Sequence, residues 1–385
     1  MDPAPLASVI VTSYNYGRYL RAALDSALGQ TYPNTEVVVV DDGSADDSRQ
    51  VIAGYGDRVR TVLKENGGQA SAFNAGFRAC RGEVVVFVDS DDVLLPGAVA
   101  SAVRLFADGG CAKVHWPLLV IDGQGRRTGK VLPDDPLPEG DLLAAAVKDG
   151  PAGYVWPPTT GNAWGRRFLE AALPMPEAEF RTCPDYYLAG LAPLYGRIGR
   201  VPEPQSLYRI HGDNQSLIVP SGEKLDTLGA RLDCCLEAVR AHGHALGLTV
   251  DPEACQARWW LRWLRRIYRA TRDMDAALPP GATCILADAG EWENHDVPMP
   301  RRCLPFTERD GQYWGPPADD AAALRELERL RRAGAEFLVV GEPAFWWLDY
   351  YQDFHRHLRE RHRCVLTTDR VVIFDLRAEP EAALP

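Results

Sequence analysis

Over the first hundred residues, short apolar runs alternate with stretches that are apolar on one helical face only. Ser8–Thr12 (SVIVT) and Glu36–Val40 (EVVVV) are short, β-branched and bounded by turn residues, which predicts buried parallel strands. Between them, Tyr19 to Leu28 puts Leu20, Ala23, Leu24 and Ala27 on one face of a helix. Thr61–Lys64 and Glu83–Val88 supply two more strands, with helices before them at Ser48–Tyr55 and Ala70–Arg81. This alternation predicts right-handed βαβ crossovers and a parallel sheet, a Rossmann-like α/β domain.

Farther along, Lys113 to Ile121 predicts another strand, and a Pro/Gly-rich region follows through Pro158. Tyr154–Asn162 (YVWPPTTGN) is loop chemistry around two prolines. Ser221 to Asp275 is mostly helical, with a break near Gly243–Pro252. Within it, Ala257–Arg272 (ARWWLRWLRRIYRATR) is basic and aromatic on an amphipathic pattern. Such a helix suits a membrane surface. Packing of its Trp/Leu face, with the arginines solvated, is the better reading for an internal stretch. Pro279–Gly281 marks a boundary. Beyond it, strands are predicted at Thr283–Ala287, Glu336–Val340, Cys364–Thr367 and Val371–Leu376, with helices at Asp319–Ala333 and Phe345–Arg361. Asp319 or Asp320 is placed to cap the first of those helices. The expected division is a domain over 1–220, a helical linker over 221–278 and a small α/β domain over 279–385.

A chain of 385 residues is long enough for two or three domains at about 100–200 residues each. Hydrophobic residues make up 46% and charged residues 25%, an ordinary globular composition. The net charge of -11, from 53 acids and 42 bases, argues against nucleic acid as a partner. No apolar run reaches the roughly 18–20 residues that span a bilayer. Met1 to Ala7 lacks a basic region followed by an apolar stretch, so no signal peptide is expected. The nine cysteines are scattered and never spaced Cys-x-x-Cys, which favours buried thiols in a reducing compartment. The expected location is cytoplasmic, with peripheral contact at the inner membrane face only through the basic helix.

Candidate chemistry collects where predicted strands end. Phe87-Val88-Asp89-Ser90-Asp91-Asp92 sets three carboxylates in four residues after a valine run. Such acids repel one another unless a cation sits among them. The carboxyl ends of parallel strands bind ligands in open α/β sheets, and hard divalent cations take oxygen ligands there. Asp41-Asp42-Gly43-Ser44 follows another strand, where Asp42 suits a base or ribose. Thr12-Ser13-Tyr14-Asn15 offers small polar groups and an aromatic ring for a nucleobase. Asn66-Gly67-Gly68-Gln69 leads into a helix, with backbone N–H groups available to a phosphate. Neither GxGxxG after the first strand nor a Walker A sequence is present.

Taken together, SVIVTSYNYGRYL, VVVVDDGSADDS, NGGQASAFNAGF and VVVFVDSDD resemble the amino-terminal half of family 2 glycosyltransferases of the GT-A fold. CPDYYLAGLAPLYG is similar to the family's segment that carries the catalytic base, and YRIHGDNQS to its closing Tyr-Arg-x-His motif. The motifs run in order over roughly residues 7–217. The resemblance implies that Thr12, Tyr14 and Asp42 hold the nucleoside of a nucleotide-diphospho-sugar, with Asn66, Gly67, Gln69 and Asp89 also on the donor. It gives Asp89 and Asp91 as the Asp-x-Asp pair, Asp91 binding Mg²⁺ or Mn²⁺, and Asp92 if the register slips by one. It makes Asp185 the base and puts His211 on the metal or diphosphate. Two departures stand out. Many relatives have Arg before the Asn of the third motif, where Phe73 precedes Asn74 here, leaving one diphosphate contact unfilled. An acidic pair often holds the base, where Pro184-Asp185 offers one carboxylate.

The implied reaction is sugar transfer to an acceptor hydroxyl with inversion, because one base opposite the leaving group gives a single in-line displacement. The acceptor is a saccharide, a lipid-linked molecule or a protein, and the setting is bacterial surface polysaccharide or glycoconjugate synthesis. The rival expectation is a nucleotide-sugar binding or scaffold protein with weak turnover. The last hundred residues resemble an accessory domain attached to some bacterial glycosyltransferases, on GAEFLVVGEPAFWWLDYYQDFHRHLRERHRCV and VVIFDL. Phe345-Trp346-Trp347 and Tyr350-Tyr351 there suit either sugar stacking or a core, and core is the commoner use. His355, His357 and His362 do not have metal spacing on a helix.

Overall fold

In the computed structural model, which describes residues 4–212, 214, 222–251, 253, 255–292 and 299–377, the valine-rich runs lie side by side. They become β1 (Ala7–Ser13), β2 (Thr35–Asp42), β3 (Arg60–Lys64) and β4 (Val84–Asp89), separated by α1 (Gly17–Leu28), α2 (Ser48–Ala53) and α3 (Gln69–Ala79). β1 pairs in parallel with both β2 and β4, and β2 with β3. Side chains alternate faces along a strand. Ile10, Val38, Val40, Val85 and Phe87 therefore enter one core, and Val9, Val11, Val37, Val39, Val86 and Val88 enter the other. Each such buried side chain contributes roughly 1.5–3 kcal/mol. On α1 the buried stripe includes Leu20, Ala23, Leu24 and Ala27, as the period requires.

The chain continues through β5 (Val93–Leu94), α4 (Ala98–Ala107), β6 (Cys111–His115), β7 (Leu118–Ile121), β8 (Arg127–Leu132), α5 (Leu143–Asp149), β9 (Asn162–Gly165), α6 (Arg166–Ala172), α7 (Asp185–Leu191), β10 (Arg197–Arg200), β11 (Ser206–Arg209) and α8 (Gly222–Ala245). The large sheet has the order β10-β6-β9-β4-β1-β2-β3. It is not wholly parallel, since β9 runs antiparallel to both β4 and β6. The single strand expected at Lys113–Ile121 is two. It breaks at Trp116-Pro117, where proline cannot extend the ladder, and the Trp116 indole donates to Ser206 Oγ at 2.7 Å. β7 then joins a second sheet, β5-β11-β7-β8.

Two compact units result, one spanning Met1–Val219 with Thr227–Trp259 and the other Pro220–Asp226 with Trp260–Pro385. The helical stretch is thus divided between them rather than standing apart. The second unit contains most of α9 (Gln256–Ala277), then β12 (Thr283–Ala287), β13 (Arg302–Pro305), the hairpin β14 (Glu308–Arg309) and β15 (Gln312–Tyr313), α10 (Asp320–Arg332), β16 (Phe337–Gly341), α11 (Trp346–Tyr350), α12 (Gln352–Arg361), β17 (Arg363–Thr367) and β18 (Val371–Asp375). Its sheet order is β13-β12-β16-β18-β17. Asp319 caps α10, accepting from the Ala322 amide at 2.7 Å. The helix expected over Phe345–Arg361 breaks at Tyr351. Its aromatics divide accordingly: Trp347 and Tyr351 are core, Trp346 and Tyr350 are exposed. On α9, Leu261, Leu264 and Ile267 are buried. Arg265 and Arg269 approach Asp226, and Arg266 approaches Asp369 and Glu342. Among the described residues no helix is long and apolar enough to cross a membrane. None of the nine cysteines is in a disulfide.

Candidate functional site

Strand register brings the acidic turns to one edge of the large sheet. Thr12 of β1 lies level with Val40 of β2 and Asp89 of β4, and Asp42 lies level with Lys64. Above that edge is a cleft of about 330 Å³, lined by residues from β1, β2, β4, the Asn66 turn and the segment before α7. Thr12 is buried in its floor, while the Tyr14 ring is 42% exposed.

Asp42 is buried and accepts four hydrogen bonds. Lys64 Nζ (2.5 Å) and the Gly67 amide (3.0 Å) reach Oδ1, and Asn66 Nδ2 (3.1 Å) and the Gly68 amide (2.7 Å) reach Oδ2. The Gln69 amide donates to the Arg181 carbonyl at 2.7 Å, and the Ala70 amide to Phe180. The sequence reading offered the amides of this turn to a phosphate. In the structure those of Gly67, Gly68 and Gln69 are already satisfied within the protein, because a buried carboxylate and a neighbouring loop must themselves be hydrogen-bonded. Asn66 and Gln69 line the cleft, but Gly67 does not.

The Asp89–Asp92 turn spreads its three acids in different directions. Asp89 accepts from Gln69 Nε2 at 2.6 Å, and Gln69 Oε1 in turn accepts from the Cys183 amide. Desolvation, then the charges of Asp91 and Asp185, push the Asp89 carboxyl well above the usual carboxylate range. Asp91 Oδ2 meets His211 Nε2 at 3.0 Å, at the side of the cleft. That meeting depends on β11, which pairs antiparallel with β5 and so returns the Tyr208-Arg209-x-His211 segment to the acidic turn. The rings of Tyr16 and Tyr19 pack about His211 at 5.2 and 5.0 Å between centroids. Asp92 is buried behind the cleft and accepts from the Arg209 amide at 2.9 Å. Its other oxygen, Oδ2, is buried without a hydrogen-bond partner among the described residues. Burial and the charges of Asp91 and Asp89 hold its carboxyl well above the usual range as well.

Asp185 opens α7 and lines the same cleft. Burial raises its carboxyl to about 6, against the Tyr186 amide, the charge of Lys113 and the Thr159 hydroxyl, which favour the ionised form. Lys113 of β6 is fully buried, with its Nζ about 5 Å from the ring centroids of Tyr154 (5.2 Å) and Trp164 (5.3 Å) and without a hydrogen-bond partner. Burial lowers it to about 7, opposed by the charge of Asp185. Lys113, Thr159 and Arg181 had no signal in the sequence, since each matters only through residues far away along the chain. Arg181 lines the cleft and donates to Asn66 Oδ1 at 2.6 Å.

Acids gathered at the carboxyl ends of parallel strands, beside a buried carboxylate raised to about 6, mark the place where α/β proteins of this kind bind ligands. Comparison with known proteins narrows that class. The profile described as Glycosyl transferase family 2 matches residues 8–150. An uncharacterized glycosyltransferase of Nostoc sp., alr2836, is 37% identical over 218 residues, 56% of this chain and 67% of that protein. The hyaluronan synthase of Pasteurella multocida is 41% identical over 109 residues, 28% of this chain and 11% of that enzyme. The chain spans between 15% and 32% of the length of the Rickettsia glycosyltransferases it matches. A crystal structure of S. aureus TarS 1-349 in complex with UDP is 16% identical with a TM-score of 0.47, covering 97% of this chain and 98% of that one. The chain belongs to glycosyltransferase family 2. It is a glycosyltransferase of the expected GT-A α/β class.

Proposed function

We propose that the protein transfers a sugar from a nucleotide-diphospho-sugar to an acceptor hydroxyl with inversion, using Asp185 as general base. The observation that carries this reading is a single buried carboxylate, raised to about 6, in one cleft with Asp89 and Asp91, the latter held by His211. A hydroxyl is a weak nucleophile, so a carboxylate must take its proton during attack. A group titrating near 6 is ionised at neutral pH yet basic enough to accept that proton. The donor reading places the nucleoside near Thr12, Tyr14 and Asp42, and the diphosphate toward Asp89 and Asp91.

A divalent cation fits the donor set only in part. Asp91 Oδ2 and His211 Nε2 converge, and Asp89 stands beside them, its carboxyl raised by burial and then by the charges of Asp91 and Asp185. No group of three potential ligands is assembled among the described residues. Asp91 and His211, with Asp89, would hold Mg²⁺ or Mn²⁺, which when bound supplies positive charge to the diphosphate leaving group. Asp92, facing the Arg209 amide, is a support for the turn in this account. The match to a hyaluronan synthase supports a saccharide acceptor and a role in polysaccharide or glycoconjugate synthesis. The test is a screen of nucleotide-sugars for release of the nucleoside diphosphate, followed by determination of the product's anomeric configuration. Inversion is expected. Retention, or binding of donors with no release in the presence of Mn²⁺ and acceptors, would overturn the reading, the latter in favour of a binding protein.

A further inference from the structure

We infer that Arg181 grips the diphosphate of the donor, through a loop other than the one that carries the third motif. The inference rests on the donor reading above. Asp42, Asp89, Asp91 and Asp185 all line the cleft, so a diphosphate entering it meets repulsion unless cations offset them. The helix position that carries Arg in many relatives is closed to this role. Phe73 is buried there and stacks on Phe87 with centroids 3.9 Å apart. The turn amides of Gly67 and Gly68 are held by Asp42. Lys64 is held by Asp42 and by the Glu65 carbonyl.

Arg181 is the one cationic side chain among the described residues that line the cleft. It forms no ion pair with a described residue. Two contacts, from Nη2 to Asn66 Oδ1 at 2.6 Å and from Nη1 to the Gly67 carbonyl at 3.4 Å, fix the guanidinium against the turn. Of its five N–H donors, three remain for a ligand, in the planar geometry that matches phosphate oxygens. The backbone is fixed too. The Arg181 carbonyl accepts from Gln69, and a Cβ on Gly68 would come within 2.8 Å of Arg181 Cα. Arg181 is therefore a preorganised cation, held against the Asn66 turn of an acidic cleft.

The test is calorimetric titration of wild type, Arg181→Gln and Arg181→Lys with UDP and GDP and with uridine and guanosine, in EDTA and in Mn²⁺. Unchanged thermal melting serves as the control for folding. For the nucleotide that binds, Arg181→Gln should lose roughly ten- to a hundredfold in affinity, in EDTA as well as in Mn²⁺. The matching nucleoside should change less than about twofold, and Arg181→Lys should recover part of the loss. Equal losses for nucleoside and nucleotide would reduce Arg181 to a support for the Asn66 turn and overturn the inference. Unchanged nucleotide affinity would overturn it while leaving the donor reading intact. Failure of the wild type to bind either nucleotide would overturn the donor reading and this inference with it.

Discussion

At the scale of single residues, the proposed base Asp185 and the buried Lys113 set the pH behaviour to expect. The proposed role requires Asp185 to be ionised, and burial raises its carboxyl to about 6. The rate of the chemical step should therefore rise with pH up to about 6 and then level off. The Lys113 ammonium favours ionised Asp185, so Lys113→Met should move that inflection upward. A pH–rate profile on both proteins checks this, and coincident profiles would remove Lys113 from the mechanism. Lys113 also makes stability pH-dependent. It titrates at about 7 when folded, against an ordinary 10.5. Between those values the unfolded chain binds the extra proton, so this group makes stability rise with pH across about 7 to 10.5. Its buried ammonium has no hydrogen-bond partner, and such a charge is expensive to keep dry. Lys113→Met should therefore leave the melting temperature at neutral pH unchanged or higher. The Asp-x-Asp pair and Asp185 were legible because motifs keep local spacing. Lys113 was not, since a lysine in a strand reads equally well as a solvated face.

At the scale of elements, β1 to β4 were readable because short β-branched runs bounded by turn residues have few other uses. The break of Lys113–Ile121 into two sheets and the antiparallel β9 were not, because pairing partners are a tertiary property. The Asn66-Gly67-Gly68-Gln69 turn was legible as a turn but not in its purpose. The Gly67 and Gly68 amides satisfy Asp42 rather than waiting for a ligand. Gly68 adopts φ 91° and ψ 174°, a region essentially restricted to glycine. An added Cβ would also meet the Arg181 backbone. Gly68→Ala should cost about 1–3 kcal/mol and weaken donor binding by displacing the loop. Chemical denaturation and nucleotide titration of the variant test both effects, and wild-type values in both would show that this turn does not organise the cleft.

For the whole molecule, the sequence pattern does not say with which unit the helices after the first domain pack. α8 goes mostly with the first unit and α9 mostly with the second. The basic pattern of α9 admitted either lipid or packing, and pattern alone does not say where counter-charges lie. Asp226, Asp369 and Glu342 supply them. With those arginines matched and a net charge of -11, the full chain should not sediment with acidic vesicles at physiological salt, where screening acts within about 8 Å. Binding that weakens steeply with added salt would instead mark a free basic face.

The central claim is that Asp185 accepts the proton of the attacking hydroxyl. Asp185→Asn keeps the shape and most of the hydrogen bonding but removes the basic site. Single-turnover transfer, or slow hydrolysis of the bound nucleotide-sugar, should be measured beside donor affinity on the same protein. Donor binding should be retained while the chemical step falls by about 10²–10⁴-fold. Transfer at a near-normal rate would contradict the account and leave Asp185 as the structural first residue of α7.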